Sequence, residues 1–200
     1  MTCIEDKKIL RERILCCCRS LPPSKVKAAG EVIFQQLKDL PTLAQAETVF
    51  CYVSRPPEVD TLQIMRLMLD RGQKLCVPRV RGKGEMQAHV LHRLEELKPG
   101  FRGILEPPAQ APVAEEPSLC LLPCVAATLD GCRLGYGGGY YDRYLAAHPA
   151  MRTLLICASW QIVDQLPQDA FDCRVDAVLT EQGLTVVALQ RWADVLGQCG

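Results

Sequence analysis

Apolar side chains near the amino terminus recur with the spacing of an amphipathic helix. The first helix is expected over residues 5–21, with apolar positions three or four residues apart at Leu10, Ile14, Cys17 and Leu21. A second helix follows two consecutive prolines, with Ser24 as its expected N-cap. The side chains that this helix can bury are Val26, Ile33, Phe34 and Leu37.

Short, nearly continuous apolar runs mark the other regular elements. Such runs predict strands covered on both faces, and they span residues 49–53, 75–77, 119–122, 153–157 and 175–179. Between the first two runs, Asp60 or Thr61 can cap a helix that is closed by Gly72. This order of strand, helix and strand predicts a parallel sheet with a right-handed crossover.

The middle of the chain has a different pattern. Residues 82–98 predict one or two strands and a short helical piece. Residues 99–123 hold six of the 14 prolines, which predicts a mostly irregular connection. The whole chain, residues 1–200, is therefore expected to form a single α/β domain with a proline-rich excursion.

Composition and charge narrow the possible partners. The chain has 23 basic and 23 acidic residues, so no overall field favours nucleic acid or an anionic membrane surface. No apolar run approaches the roughly 18–20 residues of a membrane-spanning helix, and the amino terminus does not resemble a leader peptide. We therefore expect a cytoplasmic protein that binds neither nucleic acid nor membrane.

Twelve cysteines are unusual for a chain of this length. Cys51, Cys76, Cys120 and Cys157 lie inside the apolar runs, where a free thiol behaves as a small hydrophobic group. The chain has no Cys-x-x-Cys pair of the kind that binds zinc. Reduced thiols are the expected state.

A glycine-rich loop is the most informative stretch of the sequence. Gly135, Gly137, Gly138 and Gly139 follow a predicted strand and precede a helix expected to begin near Tyr140. Backbone N–H groups without Cβ cover, together with the positive end of a helix, suit a phosphate. The spacing matches neither the dinucleotide fingerprint nor the P-loop. Alone, the loop therefore predicts an anion or a close backbone approach.

Four other residues point to the same chemistry. Asp142 falls in the first turn of the following helix, where a carboxylate beside phosphates could hold Mg²⁺. Glu58 follows the first predicted strand, at the end of a parallel sheet where ligands bind. Lys7 and Arg11 are four residues apart and flank the apolar stripe of the first helix. Each residue alone also fits a structural or solvated role.

Six segments, in order, resemble one family. They are Lys-x-x-Leu-Arg at 7–11, Glu-Val-Asp-Thr at 58–61, Val-Pro-Arg at 77–79, Gly-Ile-Leu-Glu-Pro at 103–107, the glycine signature at 133–142, and acidic residues at 172 and 176. Together they are similar to the 5-formyltetrahydrofolate cyclo-ligase family, also called methenyltetrahydrofolate synthetases. The resemblance covers almost the whole chain, and the glycine signature is its most specific part.

The resemblance implies a three-layer α/β/α domain with a mainly parallel sheet. It also implies the ATP- and Mg²⁺-dependent conversion of 5-formyltetrahydrofolate into 5,10-methenyltetrahydrofolate, with release of ADP and phosphate. Small molecules would be the only partners, and a monomer is expected.

The resemblance also implies a role for individual residues. ATP would be held by Lys7, Lys8, Arg11, Arg133, Leu134, Gly135, Tyr136, Gly137, Gly138, Gly139, Tyr140 and Tyr141. The folate would face Val53, Glu58, Tyr136, Gly137, Gly138, Gly139 and Tyr140. Mg²⁺ would be held by Asp142 and Asp172, and Tyr140 and Arg133 would act in catalysis.

The chain departs from the family pattern at three places. Many members carry Arg or Lys, Gly and Lys where this chain has Tyr136, Gly137 and Gly138, so the phosphates would need Lys7, Arg11, Arg133 or Arg79. An aromatic residue and a carboxylate are replaced by Ala127 and Thr128. Phe171 stands where His is frequent, which leaves Asp176 as a rival to Asp172 for the metal.

Two other function classes remain open at this stage. One is a member that binds a nucleotide or a folate without turnover, suggested only by Ala127 and Thr128. The other is a sugar-phosphate isomerase or a CoA-transferase-like enzyme, which would rest on fold analogy alone.

Overall fold

The computed structural model describes residues 3–193. Its helices are α1 (Cys3–Arg19), α2 (Pro23–Lys38), α3 (Pro41–Gln45), α4 (Leu62–Asp70) and α5 (Tyr140–Ala147). Its strands are β1 (Thr48–Cys51), β2 (Lys74–Gly82), β3 (Glu85–Leu91), β4 (Lys98–Pro99), β5 (Leu105–Glu106), β6 (Leu119–Leu122), β7 (Ala126–Ala127), β8 (Arg133–Leu134), β9 (Arg152–Ile156), β10 (Ala177–Thr180) and β11 (Gly183–Val186).

A seven-stranded, mainly parallel sheet forms the centre of the molecule. The strand order is β11-β10-β9-β6-β1-β2-β3. The five inner strands are parallel, and only the edge strands β3 and β11 are antiparallel to their neighbours. Each of the five predicted apolar runs overlaps one of these inner strands, which confirms the predicted mainly parallel sheet.

Helices cover both faces of the sheet, as expected for a three-layer α/β/α fold. One core cluster joins α2, α3 and α4 to the sheet face that carries Val49 and Leu119. A second cluster joins α5 to the opposite face, which carries Phe50 and Cys120. Successive residues of each strand thus enter opposite clusters, because side chains alternate along a strand. This alternation explains why the inner strands read as continuous apolar runs.

The amino-terminal helices differ in detail from the expectation. Ile14 and Cys18 of α1 are buried, whereas Cys17, assigned to the apolar stripe, is exposed. Pro22 is the N-cap of α2 and Pro23 its first residue, so Ser24 lies inside the helix and is not the cap. Proline suits this position because the first N–H of a helix has no intrahelical partner.

The proline-rich excursion is mostly irregular, as predicted. Its only strands within residues 99–118 are the short pieces β4 and β5, which pair with each other. Sequence patterns missed the five-residue helix α3, the edge strand β11 and the short β7–β8 ladder. All are short or exposed on one side, so they lack the long apolar periodicity on which the other predictions rest.

Buried cysteines occupy the strands as expected, since Cys51, Cys76, Cys120 and Cys157 are all nearly inaccessible. The ten cysteines from Cys16 to Cys173 are free thiols. Over the same residues, no helix is both long and apolar enough to cross a membrane.

Asp176 is a core residue. Its Oδ2 accepts hydrogen bonds from the N–H of Thr153 at 2.8 Å and from the Thr153 hydroxyl at 2.9 Å. Its Oδ1 lies 3.0 Å from a guanidinium nitrogen of Arg191. A carboxylate with these three donors ties β9 to the segment after β11, and it does not line the main cavity. The structure therefore lends no support to the rival metal role for Asp176.

Replacing Asp176 with Asn should lower the free energy of unfolding by about 2–3 kcal/mol, because a buried charge-assisted set of hydrogen bonds is lost. For a chain of this length that corresponds to a fall in Tm of about 4–12 °C. Thermal unfolding followed by circular dichroism measures the change. The matched control is Asp164→Asn, since Asp164 is exposed; equal Tm values for the two variants would contradict the assignment.

Candidate active site

A cavity of about 430 Å³ opens at the carboxyl ends of the central strands. Val53, Arg55 and Glu58 reach it from the loop after β1, and Pro123 reaches it from the loop after β6. These strands are neighbours, and from them the chain progresses toward opposite edges of the sheet. Open α/β sheets place ligands at such a switch point. The cavity volume is within the range of small-molecule sites.

The glycine loop forms one wall of this cavity, and α5 begins at Tyr140 as predicted. Gly139, the N-cap of α5, has φ +64°, a conformation that L side chains rarely adopt. A Cβ at Gly138 would lie 2.6 Å from the Tyr140 ring. The loop therefore needs glycine at these two positions, and it leads into the start of α5, where the helix dipole favours anions.

Arg11 fastens α1 to the loop. Its Nε donates a hydrogen bond to the carbonyl of Gly135 at 2.7 Å. Burial lowers the pKa of Arg11, while the nearby charges of Asp172 and Asp142 raise it. Its terminal nitrogens have no hydrogen-bond partner among the described residues, so they remain available to an anion in the cavity.

Lys7 occupies a different environment from Arg11. Its ammonium lies 2.7 Å from Asp169 Oδ2 and 2.5 Å from Asp172 Oδ2. Burial alone would lower the pKa of Lys7, but the hydrogen bonds to both carboxylates raise it above its ordinary value. Lys7 lines the cavity as predicted, but its charge is neutralised by carboxylates about 160 residues away along the chain.

Arg133 and Asp142 form an ion pair across the two ends of the glycine signature. Arg133 Nη2 lies 2.7 Å from Asp142 Oδ1, and the arginine side chain is only 3% exposed. Its guanidinium carbon is 5.7 Å from the ring centroid of Tyr141, and its Nε has no hydrogen-bond partner among residues 3–193. The pair fixes the start of the loop to the first turn of α5.

Glu58 lies in the loop after β1, with the Tyr136 hydroxyl of the glycine loop nearby. Its Oε2 accepts a hydrogen bond from the N–H of Arg55 at 2.8 Å. Burial raises the pKa of Glu58, whereas the Arg55 N–H, the Tyr136 hydroxyl and the Arg55 charge lower it. Burial and the neighbouring Glu58 raise the pKa of Tyr136, so its hydroxyl stays protonated.

The remaining wall is mainly apolar and was not predicted as part of the site. Its members come from the β2–β3 hairpin and the proline-rich excursion: Pro78, Val80, Met86, Phe101 and Ile104. The rings of Phe101 and Tyr140 meet edge to face with centroids 5.9 Å apart. Glu106 also lines this wall and accepts a hydrogen bond from the N–H of Val80 at 3.1 Å. An irregular segment offers no periodicity from which these positions could be identified.

The structure brings together nearly all the predicted site residues. Those that line the cavity are Lys7, Arg11, Val53, Glu58, Arg133, Leu134, Gly135, Tyr136, Gly137, Gly138, Gly139, Tyr140, Tyr141, Asp142 and Asp172. Lys8 is exposed on α1 and does not line the cavity, so its predicted ATP contact lacks support. Arg79 also lies outside; it donates to the carbonyl of Pro107 at 2.5 Å and faces Glu106 at 3.7 Å.

The carboxylates suit a magnesium ion that is held jointly with phosphates. Within the described residues, no group of three or more His, Cys, Asp and Glu side chains could hold a metal alone. Asp142 and Asp172 do present carboxylate oxygens to the cavity beside Arg11. Mg²⁺ typically takes one or two carboxylates, with waters and substrate phosphates completing its shell. The donor set therefore fits this ion.

Sequence comparisons identify relatives of one kind. A sequence model described as the 5-formyltetrahydrofolate cyclo-ligase family matches residues 3–181. The 5-formyltetrahydrofolate cyclo-ligase of Saccharomyces cerevisiae is 26% identical, over 88% of this chain and 96% of its own. The mitochondrial enzyme of that name from Arabidopsis thaliana is 29% identical, over 92% of this chain and 76% of its own.

Solved structures agree with the sequence comparisons. The NMR structure of Aquifex aeolicus 5,10-methenyltetrahydrofolate synthetase superposes with a TM-score of 0.81 at 30% identity, over 90% of this chain and 92% of that one. The Mycoplasma pneumoniae synthetase shares the fold, with a TM-score of 0.72 at 23% identity, over 88% of this chain and 99% of that one. Since the family match spans nearly the whole α/β domain and its cavity, the chain belongs to the 5-formyltetrahydrofolate cyclo-ligase family.

Proposed function

We propose that this chain converts 5-formyltetrahydrofolate into 5,10-methenyltetrahydrofolate, using Mg²⁺ and ATP and releasing ADP and phosphate. The observation that carries the proposal is the single cavity that Glu58 and the glycine loop line together. It joins an anion-binding glycine loop to a buried carboxylate suited to the N–H groups of a pterin, so that one cavity can hold both substrates.

The nucleotide would lie against the glycine loop. The N–H groups of residues 135–141 would bind phosphate oxygens at the positive end of α5. Arg11 is the best-placed cation, because its Nε is fixed on the loop while its terminal nitrogens are available. Lys7 and Arg133 would add positive charge that is already shared with carboxylates.

Magnesium would be held by Asp142 and Asp172 together with the phosphates. When bound, Mg²⁺ neutralises phosphate charge during phosphoryl transfer. The ion pairs of Asp142 with Arg133 and of Asp172 with Lys7 hold those carboxylates at the cavity wall.

The folate would fill the opposite part of the cavity. Glu58 would accept hydrogen bonds from the pterin N–H groups, and Val53 with the apolar wall would contact the ring. Burial of Glu58 strengthens such charge-assisted hydrogen bonds, since little water competes for the carboxylate.

The reaction itself requires positioning more than a protein nucleophile. The formyl oxygen attacks the γ-phosphorus of ATP and ADP leaves, which gives an iminophosphate. N10 then attacks the formyl carbon, and the bond between that carbon and the phosphorylated oxygen breaks. The N10 proton goes to the departing phosphate as the ring closes. Arg133 and the loop N–H groups would stabilise the transferring phosphoryl group, and Tyr140 would contact both substrates from the loop.

The binding-only alternative loses its basis in the sequence. Ala127 and Thr128 are buried and do not line the cavity. The Thr128 hydroxyl instead bonds the side chain of Asp130 and accepts from the N–H of Cys132 at 3.1 Å. These departures thus alter a turn behind the site. The cytoplasmic location stays a prediction, since one relative is named mitochondrial. The monomeric state stays a prediction as well.

The first test concerns the reaction. Purified protein given 5-formyltetrahydrofolate should form methenyl-folate, followed by its absorbance, only when both ATP and Mg²⁺ are present. ADP and phosphate should appear in equal amounts with the product. Product formation that survives removal of ATP or chelation of the metal would refute the proposal, as would its absence under every condition.

Arg11→Ala should raise the KM for ATP roughly ten- to a hundredfold, because a charge-assisted contact is worth about 1.5–3 kcal/mol. The KM for the folate should change much less. Steady-state kinetics measure both values. Arg13→Ala is the matched control, since Arg13 is exposed on the same helix. Equal changes in both KM values would make Arg11 merely structural.

Glu58→Gln and Asp142→Asn should separate the two substrates. Glu58→Gln should weaken folate binding roughly ten- to a hundredfold with ATP binding retained, because the amide keeps one acceptor but loses the charge. Asp142→Asn should raise the Mg²⁺ concentration needed for turnover and leave folate binding intact. Calorimetric titrations with each substrate distinguish these results; normal folate binding by Glu58→Gln would disprove its role.

The pH dependence supplies an internal check on Glu58. Its raised pKa means that the carboxylate takes up a proton at higher pH than an ordinary glutamate as the solution is acidified. Folate binding should therefore weaken on acidification through that pKa in the wild type, whereas Glu58→Gln should show no such loss.

A further inference from the structure

Arg143 lies in the first turn of α5, outside the main cavity, and its side chain is exposed. Its guanidinium nevertheless bonds two backbone carbonyls. Nε donates to the carbonyl of Gly84 at 2.8 Å, and Nη2 donates to the carbonyl of Gly138 in the glycine loop. Gly84 belongs to the turn between β2 and β3, so one side chain joins the hairpin turn to the loop.

The two glycines on either side leave room for this guanidinium. A Cβ on Gly84 would lie 2.1 Å from Arg143 Nη2, and a Cβ on Gly139 would lie 3.0 Å from Nη1. Both residues have positive φ, +80° at Gly84 and +64° at Gly139. The planar, five-donor guanidinium is therefore packed between two sharp backbone bends and bonded at each.

The bond to Gly138 sets the direction of a peptide plane in the loop. In a trans peptide, the carbonyl and the next N–H point in opposite directions. With its carbonyl turned toward Arg143, the peptide between Gly138 and Gly139 directs the Gly139 N–H away from Arg143. Gly139 lines the cavity whereas Arg143 does not.

We propose that Arg143 is a positioning residue that orients the glycine loop for the nucleotide, with the β2–β3 turn as its anchor. It contacts no substrate. The hairpin turn holds the guanidinium, the guanidinium holds the Gly138 carbonyl, and the loop N–H groups stay aimed at the phosphates. The kinetic part of this inference rests on the proposed use of ATP.

The kinetic test compares Arg143→Ala with Arg66→Ala, which removes an exposed helical arginine on α4. Arg143→Ala should raise the KM for ATP roughly tenfold, as expected for the loss of charge-assisted hydrogen bonds. Its KM for the folate and its Tm should stay close to those of the wild type. Arg143→Lys should recover part of the loss, since an ammonium can reach one carbonyl at a time.

A second pair of variants probes the anchor. Gly84→Ala places a methyl group on the guanidinium and should raise the KM for ATP in the same direction as Arg143→Ala. Gly72→Ala is its control, because Gly72 has a similar φ of +68° with open space around its Cβ position. Both variants carry the backbone strain, but only Gly84→Ala displaces Arg143.

Hydrogen exchange makes the inference testable without any substrate. Amide exchange across residues 135–140, read by mass spectrometry on the full chain, should be faster in Arg143→Ala than in the wild type or Arg66→Ala. Exchange that is unchanged in Arg143→Ala overturns the inference, as does an ATP KM equal to that of Arg66→Ala in an active enzyme. A wild type without ATP-dependent turnover would instead refute the proposed function, and the exchange result would still decide the role of Arg143.

Discussion

The buried ion pair between Arg133 and Asp142 is the constraint on which the site depends. It joins the residue that enters the glycine signature to the first turn of the helix that leaves it, so the eight residues between them must form a closed loop. A buried pair of this kind adds little net stability, because desolvation offsets the attraction. The ion pair instead fixes the start of the glycine signature against the first turn of α5. Removing either partner leaves an unpaired buried charge beside the loop, which is why the loop cannot relax independently of the pair.

Two further arginines bond carbonyls of the same loop. Arg11 binds the carbonyl of Gly135 from within the cavity, and Arg143 binds the carbonyl of Gly138 from outside it. These two loop acceptors are therefore satisfied by cations. An anion then meets N–H dipoles and a helix start rather than carbonyl oxygens. The proposed phosphate site is thus formed by α1, the glycine loop and α5, although in the sequence the loop is a single glycine-rich segment.

The sequence predicted the elements whose signals lie within a short stretch of chain. Five apolar runs identified the inner strands, and the glycines at positions 135–139 identified the loop, because both signals lie within a few residues. The sequence did not predict contacts between residues that are far apart along the chain. Lys7 was expected to hold ATP together with Arg11, yet Asp169 and Asp172, distant along the chain, pair with its ammonium. Phe101 and Ile104 could not be foreseen as cavity wall, since an irregular segment carries no period that reveals a buried face.

The family resemblance predicts a cation at position 136, where this chain has tyrosine. The Tyr136 ring lies 5.2 Å from the guanidinium carbon of Arg55, which follows β1. Within the described residues the Arg55 guanidinium has no hydrogen-bond partner, so a positive charge still lines the cavity at this point. The loop has no cation at position 136, but Arg55, which follows β1, brings a positive charge to the cavity. Its guanidinium lies over the ring of Tyr136. An anion-binding site requires positive charge at a particular place in the cavity. Any strand, helix or loop that reaches that place can carry the charged side chain.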